Sequence, residues 1–393
     1  MLFSLALIFL MGMVLGEVFE RFKLPRLLGM LMTGILLGPS VFNVLDETLL
    51  GISADLRQIS LIIILARAGL NIDIADLKRV GRPAVLLCFL PAGFEILGII
   101  LVGSKILGLT LIEGAIMGTV VAAVSPAVVV PRMLKLMEEG YGKEKSIPQM
   151  IMAGASVDDV FVIILFTAFT GLAQGQNITA LQFLKIPSSI LLGLLAGALL
   201  GWGLTVFFTK FHIRDSGKVV ILLSFSFLLV ALEKHFTSFI GFSGLLAVMA
   251  LGGIIQQKKK NLSIRLSLKF SKLWVAAELL LFVLVGSAVN VEYALKAGPK
   301  AVLLVCCGLV FRITGVLLSV LKTKLNQKER LFTVFSYMPK ATVQAAIGGI
   351  PLAMGLPAGE IILTVAVVSI LITAPLGSVL IDRTYKRALV LEE

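Results

Sequence analysis

The sequence predicts an all-α polytopic membrane protein: 13 transmembrane helices, arranged as inverted-topology repeats that each hold one broken helix. Three observations predict it. The first is composition, since 58% of the 393 residues are hydrophobic and only 15% charged, with a mean hydropathy of +1.03, whereas a soluble domain carries about a quarter of its residues charged. The second is the placement of positive charge between apolar runs. The third is a pair of proline-interrupted runs seven spans apart.

In chain order the apolar runs fall at approximately 2–19, 27–43, 53–71, 83–104, 111–134, 147–173, 186–208, 218–234, 239–256, 272–290, 299–321, 329–354 and 359–381. Charged or Gly/Pro-rich breaks separate them, and most are long enough to cross a hydrocarbon layer about 30 Å thick. The first starts apolar at Leu2, with no basic stretch ahead of it and no small-residue cleavage site before Glu17, and reads as a retained span.

The basic residues test this register. Of the 35 Lys and Arg, 26 lie in the odd-numbered connections and the C-terminal segment, in groups such as Arg21, Lys23 and Arg26, or Lys258, Lys259 and Lys260. The even-numbered connections hold six: Arg57, Lys105, Lys185, Lys234, Lys296 and Lys300. A missing or invented span would scramble that alternation. The positive-inside rule then puts the N-terminus outside and the C-terminus in the cytoplasm of a cell producing this multi-pass protein. The net charge of +12 is scattered rather than gathered on one soluble face, so it points to anionic lipid and not to nucleic acid. Cys88, Cys306 and Cys307 lie inside apolar runs and read as packing residues, not a disulfide framework.

Two runs carry interruptions. The fifth holds Val-Ser-Pro-Ala-Val-Val-Val-Pro with Ser125, Pro126 and Pro131; the twelfth holds Pro339, Lys340, Gln344, Gly348, Gly349 and Pro351. Prolines break the helical ladder, and a broken ladder at membrane depth survives only where it lines a cavity within protein. An offset of seven spans gives the two copies opposite orientations, so that spans 1–6 correspond to 8–13. Paired interruptions of this kind point to a transport site.

Charges within the spans point to the same place. Glu95, Asp158, Asp159, Arg312 and Lys340 all fall well inside apolar runs, where a charge costs roughly 2.5–3.5 kcal/mol on insertion scales. Three acids against two bases leave one net negative charge, which a cation or a proton would neutralise. Asp158 and Asp159 are helix neighbours about 100° apart, so one can face a cavity while the other meets a cation on an adjacent helix. A buried carboxylate that accepts either a proton or a hard monovalent cation exchanges the two by competition. Arg312 stays charged and suits a fixed ion pair, whereas a lysine such as Lys340 can give up its proton on desolvation. Glu95 with Arg312 reads as a helix-locking pair. His212 and His235 lie at span ends and read as solvated.

The Asp-Asp doublet within 154–160, the Ser-Pro-Ala-Val-Val-Val-Pro break at 125–131, Phe-Arg-Ile-Thr-Gly at 311–315 and Met-Pro-Lys-Ala-Thr-Val-Gln-Ala-Ala at 338–346 resemble, in order and over essentially the whole chain, the cation/proton antiporter superfamily. The likeness is to its NHA-type sodium/proton antiporter branch. The resemblance implies the sodium/proton antiporter fold, in which the two broken helices cross. It implies Asp159 as the principal ion- and proton-binding aspartate, Asp158 as the neighbour that pairs with Lys340, and Glu95 with Arg312 as a second pair. It also implies a homodimer with a dimerisation domain at 1–50 and 215–257, a core ion-transport domain at 53–173 and 272–383, a linker helix at 183–210, and elevator-like alternating access. One departure is that the better-known bacterial relatives place their lysine where this chain has Arg312.

The expected function is therefore exchange of sodium or lithium for protons across the inner membrane. Asp159 is the shared site, Asp158 the supporting carboxylate and Lys340 a participant in proton movement. Ser125, Ser156 and carbonyls of the broken helices would supply neutral oxygens to the metal ion. No cofactor is called for beyond the transported ions. Other readings are a potassium/proton exchanger of the same superfamily, a sodium-coupled organic-anion carrier of related fold, and a channel or sensor. An enzyme is the least supported class, because the spans hold no Ser/His or Cys/His set and the chain has no phosphate-binding loop.

Overall fold

Proline, glycine and capping side chains decide where this chain starts and stops its helices. The computed structural model describes residues 1–71, 81–174, 180–236 and 242–391; the side chains of 156, 180–187, 189, 190 and 234–236 lie outside that description. The expectations for Ser156, Lys185, Lys234 and His235 therefore fall outside the described residues, as do those for Lys78 and Arg79. Among the described residues the regular structure is helical, apart from one isolated antiparallel bridge between Tyr141 and Leu391.

The helices are α1 (Leu2–Arg21), α2 (Arg26–Leu37), α3 (Glu47–Gly51), α4 (Ser53–Asn71), α5 (Arg82–Leu87), α6 (Leu90–Leu107), α7 (Leu111–Ala122), α8 (Pro126–Glu139) and α9 (Ile147–Ala173). They continue as α10 (Ala180–Lys210), α11 (Asp215–Phe236), α12 (Gly244–Lys258), α13 (Lys260–Ser287), α14 (Val291–Ser319), α15 (Gln327–Ser336), α16 (Thr342–Ile347), α17 (Ile350–Ala353) and α18 (Gly359–Ala388). Each predicted apolar run coincides with one or more of them. Among the described residues eight stretches are long and apolar enough to cross a membrane: α1, α5 with α6, α7 with α8, α9, α10 from Leu191, α11 to Glu233, α14 and α18. The apolar α2, α12 and α16–α17 are shorter.

Local chemistry accounts for the ends. Thr110 and Glu113 form a reciprocal capping box at the start of α7, and Asn326 with Glu329 does the same for α15, each satisfying amide donors that the first turn leaves free. Gly108 and Gly140 end α6 and α8 in the left-handed region, at φ of 70° and 89°. One proline reading and one apolar run are corrected. Pro131 does not interrupt its span: it sits in the second turn of α8, where only one carbonyl loses its donor, and the helix runs on to Glu139. The run at 83–104 is instead divided at Cys88–Phe89, because Pro91 opens α6 and cannot donate back to Leu87.

The chain forms two compact units, passing between them within α4, α9 and α13. One holds α1–α3, α5–α8, α9 to Val162, α13 from Leu279 and α14–α18; the other holds α10–α12 with the remaining parts of α4, α9 and α13. In the first, α6 lies along α14 and α7, α1 along α2, and α18 along α14 and α15. In the second, α10 lies along α12. Gly193, Gly197 and Gly201 recur every fourth residue on α10, and a Cβ at Gly197 would overlap the Ala247 carbonyl. Small residues at this spacing bring two backbones close where no hydrophobic force drives helices together in lipid.

Candidate functional site

The site is assembled where the two interrupted helices meet, entirely within the first unit. Ser125 precedes Pro126, which excludes it from the helical region; it is extended, at φ −91° and ψ 107°, and α7 ends at Ala122. Pro339 has the corresponding effect after α15, and the chain re-enters helix only at Thr342. The Ser125 N–H donates to the Pro339 carbonyl at 2.8 Å. The two breaks are thus bonded to each other.

The five charges that the sequence places inside spans converge on this junction. Glu95, Asp158 and Lys340 are fully buried, Arg312 is 1% exposed and Asp159 7%. Arg312, on α14, donates to Glu95 on α6 at 2.9 Å and to Asp158 on α9 at 3.3 Å. It also donates to the carbonyls of Ala122 and Tyr337, one from each broken helix. The Lys340 ammonium lies 2.7 Å from the Glu95 carboxylate and 2.6 Å from the Val121 carbonyl. Asp158 accepts the Val124 N–H at 2.8 Å. Gly308 makes room for the acid: a Cβ there would stand 3.2 Å from Glu95 Oε1.

This arrangement changes the expected pairing. Lys340 is bonded to Glu95, and the cation on Asp158 is Arg312. The Glu95–Arg312 pair is present, but as one edge of a four-membered network rather than an isolated lock. Two carboxylates and two cations cancel within it. Asp159 is the charge left over, and its Oδ1 is buried with no hydrogen-bond partner among the described residues.

The expectation for the broken-helix carbonyls is also revised. Those of Val121, Ala122, Ala123, Tyr337 and Pro339 already accept hydrogen bonds from the protein. Ser125 Oγ and Thr342 Oγ1, by contrast, are buried and without a hydrogen-bond partner among the described residues, as is Asp158 Oδ1. Buried polar atoms are nearly always bonded, and an oxygen-only set is the chemistry that suits a hard cation or water. Gln344 is the participant without an assigned sequence role: its Nε2 donates to the Val121 carbonyl at 3.1 Å and to that of Ala123 at 2.8 Å. The available signal was an amide in an otherwise apolar half-helix, which must find partners when buried.

Comparison with known proteins identifies the family and the fold. The family model for the transmembrane sodium/hydrogen exchanger matches residues 5–386. The chain is 35% identical to sodium/hydrogen exchanger 9B2 of Mus musculus, covering 99% of this chain and 74% of the relative. It is 30% identical to sodium/hydrogen exchanger 9B1 of Homo sapiens, covering 96% and 76%. Among solved structures, the sodium proton antiporter MjNhaP1 from Methanocaldococcus jannaschii shares the fold, with a TM-score of 0.82 at 20% identity over 97% of both chains. A multi-span helical chain matched along nearly its whole length in this way belongs to the transmembrane sodium/hydrogen exchanger family.

Proposed function

We propose that this chain exchanges sodium or lithium for protons at Asp159 by alternating access. The observation that carries the reading is the charge balance of the buried cluster. Glu95, Asp158, Arg312 and Lys340 neutralise one another through contacts of 2.7–3.3 Å, and Asp159, whose Oδ1 has no hydrogen-bond partner among the described residues, is the acid left over. An unneutralised carboxylate in a low-dielectric site is strongly disfavoured, so either a proton or an alkali cation completes it, and one must leave for the other to enter. That mutual exclusion is exchange.

The other residues take supporting parts. Arg312 fixes Asp158 and both breaks, so Asp158 presents only its Oδ1 toward the site. Ser125 is the neutral ligand best supported by its buried, unpartnered hydroxyl; Ser156, three residues before Asp159, is a second. Lys340 couples Glu95 to the end of α7. The same reading includes 13 crossings with the C-terminus cytoplasmic, a homodimer in the inner membrane, and division into dimerisation, linker and core segments.

The test is dequenching of a pH-sensitive dye in proteoliposomes on addition of sodium, lithium or potassium. Asp159→Asn should abolish exchange while the protein still assembles in the bilayer. Full exchange by that variant, or ion flux without any opposing gradient, would overturn the proposal. Response to potassium alone would reassign the cation.

A further inference from the structure

We propose that the cytoplasm-side ends of α10 and α12 form a binding site for one anionic phospholipid, independent of the ion site. Trp202, Thr205, Val206, Thr209 and Lys210 of α10 line a groove with Lys258 of α12 and the adjoining Lys259. Among the described residues no acid lines it, and none of the three lysines is in an ion pair. Three ammonium groups held around one groove leave a concentrated positive charge that a phosphate would complement.

The approach to the groove is apolar. Trp202 and Val206 lie two turns and one turn before Lys210 on the same face, and are 57% and 49% exposed. Leu191, Leu195 and Leu199 extend that exposed column, at 60%, 50% and 68%. From Leu199 to Lys210 the helix rises roughly 17 Å at 1.5 Å per residue, about half of a hydrocarbon core roughly 30 Å thick and so within reach of one leaflet's lipid. A soluble anion would use only the lysines. A phospholipid uses both the charged end and the column, with Trp202 about 12 Å in from Lys210, at the level of the acyl chains. The glycine stripe holds α10 and α12 together beneath the groove, so the lysines of the two helices stay at fixed spacing.

The chain has two tryptophans, and the second, Trp274, is buried at 6% exposure. Trp274→Phe therefore leaves Trp202 as a single fluorescent reporter inside the proposed site. In vesicles of phosphatidylcholine doped with brominated phosphatidylglycerol or brominated phosphatidylcholine at equal mole fraction, quenching should show a preference for the anionic lipid of roughly tenfold. Lys210→Gln/Lys258→Gln/Lys259→Gln should remove that preference, and the corresponding Arg triple should keep it. Circular dichroism and size exclusion report whether each variant is folded; if the Gln triple is not, single Gln variants should each lower the preference about twofold or more. Equal quenching by both lipids in the reporter protein, or a preference that survives the Gln triple, overturns the proposal. Loss of the preference on adding millimolar inorganic phosphate at constant ionic strength would assign the lysines to a free anion instead, and overturn it equally.

Discussion

Arg312 is the residue whose loss the structure makes most consequential for stability. Its guanidinium serves Glu95, Asp158 and one carbonyl from each broken helix. Arg312→Gln would leave two buried carboxylates to share Lys340, and two carbonyls without donors. Removing one partner from a buried ion pair destabilises by about 3–5 kcal/mol. The orphaned carbonyls add about 1–3 kcal/mol each, although these contributions overlap and do not sum. A loss of about 4 kcal/mol corresponds to a fall of order 10 °C in the melting midpoint measured in detergent. Arg312→Lys keeps the charge but not the planar fork, and should fall between the two. The double variant Arg312→Gln/Asp158→Asn removes one charge of each sign and should recover part of the loss, giving a coupling energy in a double-mutant cycle. A shift under about 2 °C in Arg312→Gln, or strictly additive behaviour in the cycle, would refute the four-membered network.

The two aspartates should separate cleanly in the same assay. Asp159→Asn removes an unpartnered buried charge, so its midpoint should not fall even as exchange is lost, whereas Asp158→Asn should lower the midpoint because it breaks the bond to Arg312. Lys340→Ala should displace the pH profile of exchange in proteoliposomes, and an unchanged profile would remove this lysine from proton movement. Gln344→Leu should lower the exchange rate roughly tenfold or less with assembly intact, since it releases the Val121 and Ala123 carbonyls but no charge. Outside the spans, the Thr48 hydroxyl, the chain's terminal ammonium and the Thr48 N–H hold the Asp46 carboxyl down at about 2. A carboxyl lowered in the folded state stabilises fully above its ordinary value near 3.8 and progressively less as pH falls from there toward 2. Melting scans between pH 5 and 2 should therefore show a loss at the acid end that is smaller in Asp46→Asn.

The parts of the site legible in the sequence were those fixed by one residue's covalent character. Pro126 and Pro339 forbid continuous hydrogen bonding wherever the rest of the chain lies, so the two breaks could be placed from residue identity. A charge in an apolar run is expensive in any packing, and all five such charges reached the junction. What the sequence could not carry was the choice of partner. Whether Lys340 meets Asp158 or Glu95 depends on how α6, α9 and α14 are rotated against the second break, a difference of a few ångströms that no spacing encodes. Proline character alone also misjudged Pro131, because position within the helix decides whether one missing donor matters, and it overlooked Pro91, whose effect falls on the carbonyl four residues earlier.

The direction of the broken helices gives a physical reason for the proposed cargo site to be built from side chains. α7 and α15 both arrive at the junction by their C-terminal ends, each equivalent to roughly half a negative charge. Two such ends facing one another would repel, and would also attract any cation nonselectively. Arg312 lies against both ends at once, while Lys340 and Gln344 cover the neighbouring carbonyls of α7. The protein's own cations thus occupy the position that a bound metal ion would otherwise take, and they cannot leave. With that attraction already satisfied, the uncompensated negative charge in the cluster is the one on Asp159, and the proposed exchange then rests on a single titratable group that a proton can clear. Replacing Arg312 should on this account do more than destabilise the fold. It should expose the helix ends to the transported cation, slow its release, and lower the apparent KM for sodium together with the maximal exchange rate; a raised KM at unchanged rate would contradict the argument.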